Sequence, residues 1–477
     1  MSATTIPPAR NTPTRTGFAV RLAIALAFAD ASIAVLALPQ IVVRLHTTIS
    51  HVTWVITAYN LALIAGTLVV LPLADRLATR RTLVAGLTIF GLASLGSGSA
   101  DSLTMLIIWR CLQGAGGALL LCSSLPLIGA RDGDGALRAW ATAAAVGAAI
   151  GPAAGGLLTQ IFDWRAIFFA QAPVAALAII AALSGRTASS GALAAEPTSA
   201  PRSGLSPASA NLGLALISAG LIGALFIASV LLINVWQVSP LGAAAILAVI
   251  PIATVLTERL AAPRRAAVTG TAGACALALG LVALALISHR ALLPAVLALA
   301  VCGVGLGLAF PALTRVALST RGTPVARAAR TVAAREGGLV LGLVLLTPIL
   351  VAQLSKAQAR ATPPIFQAVL FAPRLSLPQK LTLGAGLQSA SNQAPQSQLP
   401  DIGPAFARVA AGASPAVKRE LAVLRPRIQE LIQRAATRSF RTPLLLCAAL
   451  SLLALPALLL GGRRSSRAAA GRPRSLP

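Results

Sequence analysis

Long apolar stretches separated by short polar ones repeat along the whole chain. An α-helix needs about 18 or more such residues to cross a hydrocarbon core of about 30 Å. These stretches are too long for the strands of a membrane barrel, which alternate over about ten residues. The pattern predicts an all-α, polytopic membrane protein with twelve spans, at 18–43, 52–74, 82–100, 103–129, 139–160, 165–184, 212–236, 240–258, 267–288, 291–314, 332–353 and 442–461.

Arginine residues set the predicted orientation of these spans. The connections on one side hold 21 arginines, and the short connections on the other side hold three. Cytoplasmic connections carry the excess of Lys and Arg, so both termini are predicted to be cytoplasmic. Arginine accounts for 36 of the 39 basic residues and alanine is abundant, which favours a GC-rich bacterial gene. We therefore expect a multi-pass protein of a bacterial inner membrane.

The composition of the chain argues against several other classes of protein. Only 11% of the residues are charged, against about 25% in globular proteins. The net charge of +27 comes from the connections between spans, so no nucleic-acid partner is expected. The five cysteines lie in apolar runs without ligand spacing, so we expect no metal and no cofactor. Paired acids and a nucleophile with a base are also missing, so an enzyme is not expected.

The spans divide into two halves of six. The predicted order is listed from the N-terminus: a cytoplasmic tail (1–17), a six-helix bundle (18–184), a Ser/Pro/Gly-rich cytoplasmic linker (185–211), a second bundle (212–461) and a basic cytoplasmic tail (462–477). The second bundle includes a long loop on the outer side, residues 354–441. Inside that loop, Ser414 followed by Pro415 predicts the start of a helix with apolar residues at helical spacing.

Two basic connections repeat one another. ADRLATRRTLVAG (74–86) follows the second span, and TERLAAPRRAAVTG (257–270) follows the eighth. Asp75 aligns with Glu258 and Arg76 with Arg259. The repeat predicts two pseudo-symmetric six-helix bundles with a substrate site at their interface, near the middle of the membrane.

A few polar residues inside the spans carry the candidate chemistry. Asp30 is the only acid that the sequence places deep in a span, about 18 Å along the first helix. A charge there costs at least about 2.5–3.5 kcal/mol, so the residue is predicted to carry a proton; the alternative is a hydrogen-bonded acid that braces helices. Arg110 is predicted to interact with Asp30 or with substrate, or else to satisfy backbone carbonyls. Predicted cavity residues are Asn60, Gln113, Asn234, Trp236 and Gln237.

Charged residues at the cytoplasmic helix ends are predicted to form a conformational gate, with a plain topology anchor as the alternative. The set is Asp75, Arg76, Arg80, Arg81, Glu258 and Arg259, together with Arg335 and Glu336 at the opening of the eleventh span.

The fifth span contains GAAIGPAAGG, with Gly147, Gly151, Pro152, Gly155 and Gly156. Small residues let membrane helices approach closely, and a proline kink is tolerated there. The expected neighbour is the eleventh span, where Gly338 and Gly342 repeat the spacing. Three alternating glycines in the tenth span (CGVGLGLAF) are similar to a dinucleotide-binding motif. They lie in an apolar span with no strand before them, so no dinucleotide site is predicted.

These motifs together resemble the major facilitator superfamily, in particular its drug–proton antiporter branch. FADASIAVLALP (28–39), LPLADRLATRR (71–81), LIIWRCLQGAGGA (106–118) and GAAIGPAAGG (147–156) are similar to the branch's motifs, with Asp30 at the first-helix acid. The chain departs from the loop signature at Leu71 and Ala78, where the family carries glycine. The branch commonly has fourteen helices, so this chain resembles a twelve-helix variant.

The resemblance implies alternating access driven by protons. We expect a monomeric exporter that exchanges external protons for a small amphipathic or hydrophobic molecule, with the lipid bilayer as its surroundings. A proton-coupled importer is one alternative. Another is a non-transporting membrane scaffold or sensor that acts through the basic outer loop.

Overall fold

The computed structural model describes residues 15–128, 133–184, 205–260, 265–393 and 399–460, and these are almost entirely helical. We number the helices in chain order. The first six are α1 Arg15–Arg44, α2 Trp54–Leu73, α3 Thr79–Gly98, α4 Leu103–Ser124, α5 Gly133–Ile161 and α6 Ala166–Ser184, which is interrupted at Ala170. The next five are α7 Pro207–Val235, α8 Pro240–Leu247 with Val249–Leu260, α9 Ala266–Leu286, α10 Leu292–Leu318 and α11 Pro324–Leu370. The last four are α12 Leu377–Gln393, α13 Gly403–Ala410, α14 Pro415–Ser439 and α15 Arg441–Leu452.

In the described part of the chain, ten helical segments are long and apolar enough to cross a membrane. Helices α3 and α5 are not among these ten, but they cover the two remaining predicted spans. The structure therefore confirms a polytopic helical membrane protein. The count of twelve spans fits it and stays a prediction.

The predicted boundary between the linker and the second bundle changes. Helix α7 begins at Pro207, because the Ser206 hydroxyl accepts a hydrogen bond from the backbone of Ser209 and caps the helix. The last residues of the predicted linker are therefore helical, and its residues 185–204 lie outside the described part. Most of the predicted N-terminal tail (1–14) and the whole predicted C-terminal tail also lie outside the described residues.

The largest change concerns the predicted outer loop. Helix α11 does not end near 353 but continues to Leu370, through Pro363 and Pro364. Helices α12 to α14 follow, and residues such as Leu383, Phe406 and Ile428 form a separate hydrophobic core. We call residues 354–439 the cap. Helix α14 begins at Pro415 with Ser414 as its N-cap, as the sequence predicts.

Glycines mark the tightest helix contacts, and two of the contacts in the first half have counterparts in the second. A Cβ atom on Gly147 of α5 would overlap the carbonyl oxygen of Ala25 in α1, and one on Gly338 of α11 would overlap that of Ala215 in α7. In the same way, Gly114 of α4 lies against Tyr59 of α2, and α10 lies against α8. The corresponding helix pairs in the two halves therefore pack alike, which supports the predicted repeat.

The three glycines of the tenth span, in α10, also allow close contact with neighbouring helices. A Cβ on Gly305 would lie 2.5 Å from the backbone nitrogen of Leu277 in α9, and one on Gly307 would lie 2.5 Å from the carbonyl oxygen of Thr254 in α8. Gly303 approaches the backbone of Ile250. Close packing against two neighbouring helices explains the three glycines without any nucleotide.

The predicted partner of α5 is wrong. Gly147 and Gly155 contact α1, and Gly156 contacts Ala244 of α8, so α5 packs between helices one and eight. Gly338 and Gly342 repeat the spacing because α11 is the counterpart of α5 in the second half, not its neighbour. Gly151 is buried, and the side chain of Pro152 lies outside what the structure describes.

Candidate functional site

Asp30 and Arg110 form a fully buried ion pair between α1 and α4. The Arg110 Nη1 atom lies 2.6 Å from Oδ2 of Asp30 and 2.8 Å from Oδ1, and neither side chain has exposed surface. The sequence predicted an interaction between these two residues, and the structure places them in direct contact. A buried pair of this kind depends on both partners, because removing one leaves an uncompensated charge.

Polar groups from the surrounding helices hold this pair. Nε of Arg110 donates to the carbonyl of Val55 at 2.8 Å, and Nη1 also donates to Oε1 of Gln113 at 2.7 Å. The amide nitrogen of Gln113 lies 3.2 Å from Asp30, 2.8 Å from Ser94 and 2.8 Å from Gln171. Gln113 thus belongs to the Asp30 network, and it links α1 with α3, α4 and α6.

Ser94 and Gln171 were missed from the sequence. Gln171 is a single amide within the apolar sixth span, which is the signal that could have identified it. Ser94 has no such signal, because serine is common in membrane helices.

Tyr59, the single tyrosine of the chain, packs under this network. Its ring centre lies 4.3 Å from the guanidinium carbon of Arg110, and its hydroxyl donates to the carbonyl of Ala27 at 3.2 Å. The neighbouring Asn60 is fully buried, and both of its side-chain amide atoms lack a hydrogen-bond partner among the described residues. Asn60 is therefore a polar group that a water molecule or a moving side chain could satisfy.

Arg335 and Glu336 form a second buried pair, which corrects their predicted place at the cytoplasmic gate. Their nearest charged atoms are 3.7 Å apart. Helix α11 begins at Pro324, about 16 Å before Arg335 at 1.5 Å per residue, whereas hydropathy predicts a span that begins at 332. The eight additional helical residues carry the pair into the protein interior. Asp30 is consequently not the only buried acid.

The two pairs are near one another. The Arg335 guanidinium carbon lies 3.9 Å from the ring centre of Phe28, two residues before Asp30. The four charged side chains of the two pairs therefore form one buried cluster where α11 packs against the first bundle.

A small cavity lies next to this cluster. It is bordered by α5, α7, α8, α10 and α11, and its walls include Trp140, Phe310, Thr331 and Arg335. Its free space is about 60 Å³, which is enough for a few water molecules. Drug-sized ligands occupy pockets of about 300–1,000 Å³, so the cavity is contracted in this conformation.

The five residues predicted to line the cavity are not among its walls here. Asn60 and Gln113 belong to the buried network, and the other three lie at the end of α7 below the cap. The indole nitrogen of Trp236 donates to Thr437 of α14 at 3.1 Å, and Gln237 donates to the carbonyl of Asn234 at 2.7 Å. Helix α7 ends at Val235, so these three residues lie at the end of the helix next to the cap, and the Trp236 side chain contacts the cap directly.

Apart from Arg335 and Glu336, the predicted gate residues do not form ion pairs with each other in the described part of the chain. Asp75, Arg76, Arg81 and Arg259 are exposed, and Arg80 donates to the carbonyl of Leu183. Glu258 accepts a hydrogen bond from Thr142 of α5 at 3.2 Å.

The two halves do meet at this end of the molecule, through apolar side chains. Val70, Leu71 and Ala74 at the end of α2 pack against Val325 and Ala329 at the start of α11. Leu71 is the residue that replaces a signature glycine. In this conformation the end of α2 and the start of α11 are held together by apolar packing, and not by the charged residues that were predicted to form the gate.

Sequence comparison identifies the fold. A family model described as Major Facilitator Superfamily matches residues 21–347, which is more than half of the chain. The chain belongs to the major facilitator superfamily. It is accordingly a multi-pass membrane protein of a transporter family, which is not a family of enzymes.

Several curated relatives of this superfamily member are resistance proteins. The chain is 33% identical over 178 residues to the tetracenomycin C resistance and export protein of Streptomyces glaucescens, covering 36% of this chain and 33% of that protein. It is 35% identical over 159 residues to the lincomycin resistance protein of Streptomyces lincolnensis, covering 32% and 33%. It is 34% identical over 176 residues to the methylenomycin A resistance protein of Bacillus subtilis, covering 35% and 38%. The alignments span about a third of each relative.

Solved structures support the fold over nearly the whole length. A bacterial homologue of the human lysosomal transporter Spinster, in an inward-facing and unoccupied conformation, aligns with a TM-score of 0.61 and 17% identity. The alignment covers 95% of this chain and 99% of that chain. At this identity the similarity concerns the fold alone.

Proposed function

We propose that this protein is a proton-coupled exporter of small amphipathic or hydrophobic molecules. It lies in a bacterial cytoplasmic membrane with both termini inside and acts as a monomer, because each chain contains both halves. The observation that carries the proposal is the fully buried Asp30–Arg110 pair at the contact between helices of the first bundle. The printed names of the relatives, which are resistance and export proteins, support the direction of transport and the substrate class.

Protonation of Asp30 supplies the driving step. A proton that binds a carboxylate oxygen neutralises Asp30 and leaves Arg110 charged, buried and without its anionic partner. Loss of one partner of a buried pair costs about 3–5 kcal/mol, so the protonated state favours a conformation in which Arg110 is hydrated or paired again. Among the described residues the Nη2 atom of Arg110 has no hydrogen-bond partner, so the guanidinium has an unfilled donor.

Substrate is linked to this step through Arg335. Its guanidinium borders the cavity and lies over Phe28, which is on the same helix as Asp30. A molecule that enters the cavity displaces Arg335 or changes its hydration, and α1 moves with it near the ion pair. Glu336 pairs with Arg335, and one of its oxygens has no hydrogen-bond partner in the part of the chain that the structure describes, so it is a second candidate proton carrier.

Rocking of the two bundles supplies access to the cavity. Helix α5 contacts α8, and α2 contacts α11, so these are the interfaces between the halves that must open and close. A cavity of about 60 Å³ cannot hold a drug-sized molecule, and a substrate-binding conformation requires the second-half helices to move away from α5.

Transport by the purified full-length protein in proteoliposomes tests this proposal. A panel of hydrophobic and amphipathic cations, neutral drugs and anions is presented with an imposed pH gradient, with empty liposomes and an ionophore-treated sample as controls. At least one compound is expected to move against its concentration gradient, in the direction opposite to the protons. Movement in the same direction as the protons would show an importer, and absence of gradient-driven movement for every class would contradict transport of such molecules.

A further inference from the structure

A second, larger cavity lies where the cap meets the membrane helices. Its volume is about 760 Å³. The end of α9, the extension of α11, helix α14 and the start of α15 form its walls. It is separate from the Asp30 network and the central cavity, since it shares no lining residue with the latter.

Four arginines line this cavity: Arg360, Arg434, Arg438 and Arg441. Arg434 is ion-paired with Glu430, one turn earlier on α14. For the other three, the described part of the chain provides no ion pair. The cavity therefore concentrates positive charge that the protein itself does not compensate, and guanidinium groups are suited to phosphate through paired hydrogen bonds.

The position of the cavity indicates where such a phosphate comes from. Leu286, the last residue of the apolar helix α9, is a wall residue and is 62% exposed. Arg441 and Thr442, also in the wall, open the last apolar helix, α15. One side of the cavity thus reaches the apolar surface of the membrane helices, and the other side consists of the basic and polar residues of the cap. This arrangement fits a lipid, with the acyl chains on the apolar side of the cavity and the charged headgroup on the basic side.

We propose that this cavity binds the headgroup of an anionic phospholipid in the leaflet on the cap side. The phosphate lies among Arg360, Arg438 and Arg441, and the acyl chains run along the apolar surface that begins at Leu286. Basic residues near a membrane surface attract anionic lipid, and the three arginines of this cavity act on one headgroup together. The bound lipid joins the cap to α9, α11 and α15.

Binding is measured on the purified full-length protein by native mass spectrometry and by thermal unfolding, with phosphatidylglycerol and phosphatidylcholine as probes. The test variant combines Arg360→Gln, Arg438→Gln and Arg441→Gln. The matched control combines Arg374→Gln, Arg408→Gln and Arg427→Gln, which removes the same charge from exposed cap positions outside the cavity. We expect phosphatidylglycerol to bind the wild type and the control alike, and affinity in the test variant to fall about tenfold or more.

Several results would overturn the proposal. An equal loss of binding in both triple variants means that net charge, not the cavity, attracts the lipid. Equal binding of phosphatidylcholine excludes an anion site. Inorganic phosphate or soluble glycerol phosphate that binds as strongly as phosphatidylglycerol identifies a free anion as the ligand. If the triple variant does not fold, the single variants Arg438→Gln and Arg408→Gln are compared in the same way. The readout is independent of transport, so the result does not depend on the proposed function.

Discussion

The guanidinium carbon of Arg335 lies 3.9 Å from the ring centre of Phe28, so a charged side chain of the second half packs on the helix that carries Asp30. Arg335 also borders the central cavity. An arginine over an aromatic face within about 6 Å gains about 0.5–2 kcal/mol, which makes the contact strong enough to couple two helices and weak enough to break during a transport cycle.

The Phe28 contact predicts a specific loss of coupling. Phe28→Leu keeps an apolar side chain but removes the aromatic face, so gradient-driven efflux is expected to fall about tenfold, which corresponds to about 1.4 kcal/mol. Two quantities are measured in proteoliposomes: the gradient-driven efflux, and the ratio of substrate transported to protons transported. Both are expected to fall in Phe28→Leu. Phe226→Leu, at a buried phenylalanine of α7, is the matched control. It is expected to lower stability to a similar degree and to leave the ratio unchanged; equal losses in both would remove Phe28 from the coupling path.

The second buried pair predicts a non-additive effect on stability. Glu336→Gln leaves Arg335 buried without its anionic partner and is expected to lower the free energy of unfolding by about 3–5 kcal/mol. Adding Arg335→Gln is expected to recover most of this loss, because the unpaired charge is gone. Chemical unfolding in mild detergent measures both. The exposed pair Arg434 and Glu430 provides a control, where the same two changes should have little effect. Additive losses at Arg335 and Glu336 would show that the two side chains do not interact.

Two adjacent glycines of α11 predict opposite results. A Cβ at Gly338 would overlap the carbonyl oxygen of Ala215, whereas a Cβ at Gly337 would meet nothing within 4 Å. Gly338→Ala is expected to destabilise the protein by about 1–3 kcal/mol through overpacking. Gly337→Ala is expected to be neutral or to stabilise by up to about 1 kcal/mol, since alanine favours helix. Thermal unfolding followed by tryptophan fluorescence compares them, and equal midpoints would contradict the α7–α11 contact.

The α5–α8 interface predicts a compensating pair. A Cβ on Gly156 would overlap the Cβ of Ala244, so Gly156→Ala forces the two bundles apart on this side. Transport is expected to fall at least about tenfold, because the state in which α5 and α8 touch is no longer reached. Ala244→Gly removes the opposing methyl group, and the double variant is expected to regain most of the activity. Failure of the double variant to recover, with both proteins folded, would mean that this contact is not part of the cycle.

Much of the fold could be predicted from residue pattern. The spans follow from hydropathy, and α14 begins at Pro415 because Ser414 and Pro415 are strong helix-start residues. The partner of α5 could not be predicted in this way, because glycine spacing shows that a helix packs closely and does not identify its neighbour. The repeat of that spacing in α11 came from duplication of the half, and the structure shows α5 against α1 and α11 against α7.

The candidate site was predicted in part. Asp30 and Arg110 could be found because isolated charges in apolar spans require partners. Hydropathy predicts Arg335 and Glu336 at a helix end, because the first residues of α11, from Pro324 onward, are too polar to be recognised as part of a membrane span. The cap could not be predicted as a folded unit, since its core depends on side-chain contacts between the consecutive helices α12, α13 and α14, which the helical spacing within each one does not reveal.

The central claim is that protonation of Asp30 drives export, and Asp30→Asn tests it most directly. The asparagine mimics the neutral, protonated acid and cannot release a proton. In proteoliposomes with an imposed pH gradient, we expect the variant to lose uphill transport of any substrate that the wild type moves, while downhill exchange of that substrate continues. Uphill transport by folded Asp30→Asn protein, with unchanged dependence on the pH gradient, would contradict the account.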